Sequence, residues 1–135
     1  MASEAPYVKA IIEALNALDG VFVWRQQAGK VPVGRGWMQL APKGACDIIG
    51  GVRAATWFED SHIIGHVGRL LSIEVKATKT GKAADNGQET LKAQHAWRVM
   101  MHSIGALHID AAKRDDETMA DAVERVVNAV IEARG

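Results

Sequence analysis

The spacing of the hydrophobic residues changes twice along this chain, and that change limits the folds open to it. Near the N-terminus apolar residues recur every three or four positions from Val8 to Leu18, which is typical of an amphipathic helix ended by Gly20. In the middle they alternate, most clearly from Leu70 to Lys76, which is the pattern of a β-strand. Helical spacing then returns. The sequence therefore predicts a mixed α/β domain in which helices cover a sheet.

The predicted elements follow the order helix, several strands, helix, strand, helix. Turn residues and alternation predict strands at 21–25, 37–40, 47–49 and 70–76, a basic flexible loop at 29–36, strand pieces with a loop at 53–69 and a mobile polar loop at 77–88. A second helix is predicted at 89–104 with Trp97, Met100, Met101 and Ile104 on its apolar face, then a buried strand at 106–109 and a C-terminal helix.

Composition excludes several classes of protein. A chain of 135 residues has the length of one domain, so we expect a single domain over residues 1–135. No apolar run approaches the roughly 20 residues that span a bilayer, and no basic stretch followed by an apolar one resembles a secretory signal. The single Cys46 excludes an internal disulfide and a cysteine-rich zinc site. These features predict a cytoplasmic protein without a membrane partner.

Charge is balanced overall but not along the chain. Sixteen Lys and Arg residues offset sixteen Asp and Glu residues, yet residues 1–82 hold ten basic and seven acidic side chains, and residues 83–135 hold six and nine. Between Asp19 and Asp47 every charged residue is basic: Arg25, Lys30, Arg35 and Lys43. Such segments are either contacts for phosphate groups or ordinary solvated loops, and charge alone does not separate the two interpretations.

The candidate site consists of Asp47 and, after 26 intervening residues, Glu74-Val75-Lys76. Two carboxylates on neighbouring strands can converge on one hard divalent cation, because Mg²⁺ prefers oxygen ligands. Lys76 lies two positions after Glu74 and so shares its strand face, where it can hold a water molecule and offset charge on a phosphate. A surface Glu and Lys pair on an exposed strand is the alternative interpretation.

Four segments, in order, resemble the VRR-NUC branch of the PD-(D/E)XK nucleases. They are Trp24 to Gly29, Pro42 to Gly50 with its G-x-x-D pattern, Gly68 to Lys76 with I-E-V-K, and Gln94 together with Trp97 and Gly105. The likeness covers about residues 4 to 110. One departure is Cys46, which stands before the acidic residue where the family usually has proline.

This resemblance implies a fold, an activity and partners. The fold is restriction-endonuclease-like, a mixed β-sheet flanked by helices in the order α-β-β-β-α-β with a further C-terminal helix. The activity is Mg²⁺- or Mn²⁺-dependent hydrolysis of DNA phosphodiester bonds. Stand-alone viral and bacterial members act as homodimers on branched DNA such as Holliday junctions, which implies the cytoplasm of a bacterium or of a virus-infected cell.

The same resemblance assigns roles to individual residues. Asp47 and Glu74 would ligate the metal with the Val75 carbonyl, and Lys76 would handle the attacking water. Gln94 is expected on the inward face of the second helix, three positions before Trp97. The family also places a glutamate in the first helix, for which Glu4 is the candidate because Glu13 falls on the side away from the apolar stripe.

Contacts to DNA are predicted for basic residues of the loops: Arg25, Lys30, Arg35 and Lys79. Such contacts position the DNA backbone and do not specify sequence. Trp24, Trp37 and Trp57 have the chemistry to stack on bases, but packing in a core or an interface is the default expectation for tryptophan.

Three other functions fit the same residues less well. The first is a DNA-binding module of this fold that has lost activity, against which the intact Asp47, Glu74 and Lys76 argue. The second is a nuclease for flaps or linear DNA. The third is a hydrolase of another phosphate ester, which requires a closed pocket rather than an open basic face. Fold alone does not decide between substrates.

Overall fold

The computed structural model describes residues 4–26, 29–42, 44–76 and 88–134. Within these ranges the chain forms three helices, a four-stranded sheet and a separate two-stranded hairpin, which confirms the predicted α/β class. The elements are α1 (Glu4–Asn16), β1 (Val21–Arg25), β2 (Gly29–Val33), β3 (Gly36–Ala41), β4 (Ile48–Glu59), β5 (His62–Lys76), α2 (Gln88–Ser103), β6 (Leu107–Ala112) and α3 (Met119–Ala133). None of the described helices is long and apolar enough to cross a membrane.

The main sheet is mixed and has the strand order β1-β4-β5-β6. β1 pairs antiparallel with β4, and β4 pairs antiparallel with β5, whereas β5 and β6 are parallel. A parallel neighbour requires a crossover, which α2 supplies between β5 and β6. Apart from the inserted β2–β3 hairpin, the element order is the expected α-β-β-β-α-β with a further C-terminal helix.

The two faces of the sheet have different coverings. One face buries the larger core against α1 and α3, with Ile73 of β5 and Val126 of α3 both inaccessible or nearly so. The other face carries a smaller core in which Cys46 packs with Trp97 and Met101 of α2. Alternation along β5 therefore places Ser72, Glu74 and Lys76 on the α2 face.

Asn16, the last residue of α1, ties that helix to the outer edge of the sheet. Its side-chain amide donates to the Val23 carbonyl at 3.0 Å and accepts from the Val23 amide at 2.8 Å. Because β1 is an edge strand, these bonds occupy backbone groups that point away from β4. Strand addition by another chain is blocked at this position.

The prediction of a loop at 29–36 is wrong for most of this segment. Gly29–Val33 forms β2, which pairs with β3 in an antiparallel hairpin. Pro32 is tolerated because both strands of a two-stranded sheet are edge strands, where a missing amide hydrogen need not break a ladder.

The predictions for 47–49 and 53–69 underestimated β-structure. The pairing of β4 with β5 runs from Ile48 opposite Ile73 to Glu59 opposite His62. β1 pairs with β4 only as far as Val52, so the rest of β4 and β5 extends beyond the sheet as a two-stranded arm. The arm turns at Asp60 and Ser61, which both have positive φ, as a tight two-residue hairpin of the primed type requires.

Two expectations about large apolar side chains also need correction. Trp24, Trp37 and Trp57 are between 50% and 71% exposed, so they do not pack in the core of the chain, whereas packing in an interface stays a prediction. On α2, Met100 and Ile104 are exposed although Trp97 and Met101 are buried. The predicted mobile loop at 77–88 lies, except for its last residue, outside the described residues.

Gly44 fixes the distance between the turn before β4 and helix α2. Its φ is +85°, and an added Cβ would lie 2.3 Å from the carbonyl carbon of Ala93. Only glycine combines this backbone conformation with so close an approach to a neighbouring backbone. Since Ala93 precedes Gln94, this contact also sets the position of Gln94.

Replacement of Gly44 by alanine is expected to lower the free energy of unfolding by about 2–4 kcal/mol, because positive φ and a backbone overlap both oppose it. Urea denaturation followed by circular dichroism measures this change. Gly34→Ala is the matched control, since Gly34 has φ +59° but no atom within 4 Å of an added Cβ. An equal loss in both variants would show that the Ala93 contact contributes nothing.

Candidate functional site

The site forms where the β4–β5 ladder stops. Ile48–Ile73 is the last backbone pair, and the next residue, Asp47, donates its amide hydrogen to the Ile73 carbonyl at 3.0 Å. The Asp47 side chain then replaces the missing strand, because its Oδ2 accepts from the Val75 amide at 2.7 Å. β5 continues beyond β4 through Glu74 and Lys76, so this end of the strand is open to a ligand from the β4 side.

Glu74 is buried at this opening, with 9% of its surface exposed. Gln94 of α2 donates its side-chain amide to Glu74 Oε1 at 3.0 Å. Burial raises the pKa of Glu74 to about 8, helped by the negative charges of Asp47, Asp110 and Glu4 and opposed by the positive charge of Lys76. Its carboxyl group is therefore mostly protonated at neutral pH when no cation is nearby.

Six residues predicted from the sequence are brought together here. Hydrogen bonds join Asp47 to Val75 and Glu74 to Gln94. The charges of Lys76 and Glu4 act on Glu74, which places both side chains within electrostatic range of its carboxyl group. Their proximity agrees with the prediction, whereas their catalytic and metal-binding roles stay predictions.

Two of the four residues predicted to contact DNA have described side chains. Arg25 is exposed at the end of β1, and Arg35 is exposed at the turn of the β2–β3 hairpin. Lys30 belongs to β2, and its side chain lies outside the described part of the structure. Lys79 falls entirely outside the described residues.

Sequence reasoning missed a chain of hydrogen bonds beside Glu74. Trp97 Nε1 donates to Ser72 Oγ at 3.0 Å, and Ser72 Oγ lies 2.9 Å from His108 Nδ1. His108 Nε2 lies 3.3 Å from Asp110 Oδ1, whose other oxygen receives a 2.7 Å ion pair from Arg98.

The proton positions in this chain follow from its end groups. A carboxylate only accepts, so His108 carries its proton on Nε2 toward Asp110. Burial lowers the pKa of His108, which favours the neutral ring, and Nδ1 then accepts from the Ser72 hydroxyl. Ser72 Oγ in turn accepts from Trp97. From Trp97 to Asp110 each donor meets an acceptor, whereas the buried Nε of Arg98 has no hydrogen-bond partner among the described residues.

Ser72, His108 and Asp110 carry the functional groups of a hydrolytic triad but cannot act as one. Ser72 has no accessible surface, so a substrate cannot reach its oxygen. Their role is to hold α2 on the sheet one turn from Gln94. The parallel register pairs Ser72 with His108 and Glu74 with Asp110. Asp110 was missed because the predicted strand ended at residue 109, whereas β6 extends to Ala112.

The donor set fits a hard divalent cation. Asp47 and Glu74 supply carboxylate oxygens. Burial is the main cause of the raised pKa of Glu74 and the negative charge of Asp47 adds to it, and a nearby cation would oppose this shift. Over the described ranges no three His, Cys, Asp or Glu side chains are already gathered as ligands. A backbone carbonyl and water would complete the shell, as is usual for Mg²⁺.

Comparison with protein-family models, with curated proteins and with solved structures finds no significant match to this chain.

The raised pKa of Glu74 predicts how stability depends on pH without metal. A carboxyl group whose pKa is raised by folding stabilises the protein below its unfolded pKa, and this contribution is lost as pH rises through the folded value. The free energy of unfolding should therefore include a contribution from Glu74 that decreases as pH rises from 4.5 to about 8, with a slope of at most about 1.4 kcal/mol per pH unit.

Chemical denaturation in EDTA at several pH values tests this against Glu74→Gln, which keeps an acceptor for Gln94 but does not titrate. The free energy of unfolding of the wild type relative to that of Glu74→Gln should decrease as pH rises from 4.5 to about 8. A difference independent of pH would contradict the assigned burial of the Glu74 charge.

Ser72→Ala should lower the free energy of unfolding by about 1–3 kcal/mol, because the buried indole N–H of Trp97 loses its acceptor and His108 loses its donor. Ser103→Ala is the control, since Ser103 is exposed and bonds only within its own helix, and its change should stay within about 0.5 kcal/mol. Thermal and urea denaturation both measure this. Equal stability of Ser72→Ala and wild type would remove the structural role assigned to the chain.

Proposed function

We propose that this chain is a divalent-metal-dependent DNA endonuclease. The observation that carries the proposal is the convergence of Asp47, Glu74 and Lys76 where β4 ends, with Gln94 bonded to Glu74. Two carboxylates, a lysine and an amide at an open strand end match the requirements of phosphodiester hydrolysis. This combination also agrees with the resemblance to VRR-NUC nucleases drawn from the sequence.

Each side chain has a distinct part in this proposal. Asp47 and Glu74 would hold Mg²⁺ or Mn²⁺ with the Val75 carbonyl, and the cation would supply Lewis-acid stabilisation of charge on the phosphate. Gln94 fixes the Glu74 carboxylate in one rotamer through its 3.0 Å bond. Lys76 orients the attacking water and offsets the charge that develops on the phosphate oxygens. Glu4 contributes a third carboxylate near the site.

The substrate we propose is branched DNA such as a Holliday junction. Arg25 and Arg35 are exposed on β1 and on the hairpin turn, where they are accessible to DNA phosphates. A homodimer would place two sites to cut paired strands. Val126 and Val130 of α3 are buried in the chain's own core, so a dimer surface would lie elsewhere. The setting is the cytoplasm of a bacterium or of a virus-infected cell.

Two alternatives make different demands on the site. A hydrolase of a small phosphate ester requires an enclosed pocket, but the cavities beside α3, at the base of the arm and beside Phe22 include none of Asp47, Glu74 and Lys76 in their lining. An inactive DNA-binding module would not require a buried Glu74 held by Gln94. We favour catalysis because Glu74 is buried and held by Gln94.

The proposal predicts cleavage of a labelled four-way junction in Mg²⁺ or Mn²⁺ and none in EDTA. Asp47→Asn and Lys76→Met should each reduce the cleavage rate at least about 100-fold, because each removes charge that stabilises the transition state, while the affinity for DNA stays within a few-fold. Gel analysis of single-turnover reactions measures the rates.

Lys9→Met is the matched control, since Lys9 is exposed on α1, which covers the opposite face of the sheet, and this variant should retain full activity. Full activity in Asp47→Asn would end the assignment of the site. Binding of the junction without metal-dependent cutting by the wild type would favour the inactive module.

A further inference from the structure

The α2 face of the sheet is only half covered. On β5 and β6 it lies under α2, where Ser72 has no exposed surface and Trp97 is buried. On β1 the same face carries Phe22 and Trp24, which are 68% and 50% exposed. A sheet face that continues from a candidate site into exposed aromatic side chains is a candidate surface for the substrate itself.

Strand register places these aromatics relative to the site. Residues that pair across strands share a face, and Asp47 follows directly from the Ile48–Ile73 pair, which puts its backbone beside Glu74. Trp24 pairs with Ile49, two residues along β4 from Asp47, and Phe22 pairs with Gly51, four residues along. At about 3.3 Å per residue, Trp24 and Phe22 lie roughly 7 Å and 13 Å along the sheet from Asp47.

Phe22 and Trp24 form one pair rather than two isolated side chains. Their ring centroids are 5.8 Å apart and the planes are inclined by 55°. Beside them Gly51 and Gly68 leave the floor of the sheet bare, and Phe22 with these glycines lines a shallow cavity of about 400 Å³. A flat, apolar floor with an aromatic wall suits a planar ring, because nucleobases stack on such surfaces whatever their sequence.

The lining of this cavity contains no group that would repel a polyanion. The residues that line the cavity include Arg53 and His66 but no carboxylate, and Arg53 pairs with Asp19 at the rim. By contrast, Asn16 occupies the outward backbone groups of Val23 between the two aromatics, so a second copy could not add a strand there.

We infer that Phe22 and Trp24 form a stacking platform for unpaired nucleobases of the DNA strand whose phosphate is cut at Asp47 and Glu74. This inference rests on the proposed function and narrows its substrate class to DNA with unpaired bases close to the scissile phosphate, as in a flap or an opened junction. Bases in an intact duplex already stack on one another and gain nothing from the platform.

The test measures binding without cleavage. In EDTA the full-length protein is titrated onto a flap oligonucleotide that carries 2-aminopurine in its single-stranded part, and onto a matching duplex. The wild type should quench the 2-aminopurine emission and prefer the flap. Phe22→Leu and Trp24→Leu should each reduce the quenching and weaken flap binding about 5- to 150-fold, which is ~1–3 kcal/mol at ~1.4 kcal/mol per tenfold change.

Trp57→Leu is the matched control, because Trp57 is 62% exposed on the distant arm. This control should bind like the wild type, and all three variants should bind the duplex within twofold of it. Unchanged flap affinity in both platform variants would overturn the inference. Sedimentation could also overturn the inference. If the wild type were a dimer and only these two variants were monomers, the surface would be assigned to a second copy of the chain.

Cleavage measured in parallel separates this inference from the proposed function. Metal-dependent cutting with no effect of the platform variants would leave the nuclease proposal intact and remove the platform. Quenching that depends on Phe22 and Trp24, without cutting under any metal condition, would support the platform and remove the proposed catalysis.

Discussion

The early end of the β4 ladder is the constraint on which the candidate site depends. If β4 paired with β5 one residue further, the Val75 amide would bond to a strand backbone and the space beside Glu74 would be filled. Instead Asp47 satisfies that amide with its side chain, at 2.7 Å. One residue thus meets the hydrogen-bonding demand of the sheet and leaves a carboxylate next to a second one. The site therefore lies where regular strand pairing ends and a side chain replaces a backbone hydrogen-bond partner.

Keeping two carboxylates together in a partly buried place is unfavourable, and the surrounding structure compensates for it. Gln94 stabilises Glu74 from α2, and α2 is held by the bond from Trp97 to Ser72 and by the ion pair of Arg98 with Asp110. The close packing of Gly44 against Ala93 fixes the same helix from the other side. The electrostatic strain is therefore concentrated at the residues to which function is assigned, while Trp97, Ser72 and His108 beside them are hydrogen-bonded to one another.

Much of the fold and most of the candidate site followed from the sequence, because they depend on local periodicity and on spacing along one strand. Glu74 and Lys76 were predicted from their alternation on one strand, Asp47 from its place on a neighbouring strand, and Gln94 from the resemblance to the VRR-NUC nucleases. Asp110 and His108 were not, because the parallel register that pairs Glu74 with Asp110 joins residues 36 positions apart. The arm was missed since its turn uses Asp60 and Ser61 at positive φ rather than the usual Asn-Gly, and its apolar residues do not alternate.

The four tryptophans of this chain divide sharply by environment. Trp24, Trp37 and Trp57 are half or more exposed, whereas Trp97 is 8% exposed and its indole nitrogen donates to a hydroxyl group two residues from Glu74. Its fluorescence should consequently be shifted to shorter wavelength than that of the other three and be shielded from dissolved quenchers. The protein thus contains an intrinsic optical reporter of the contact between α2 and the sheet, which requires no added label.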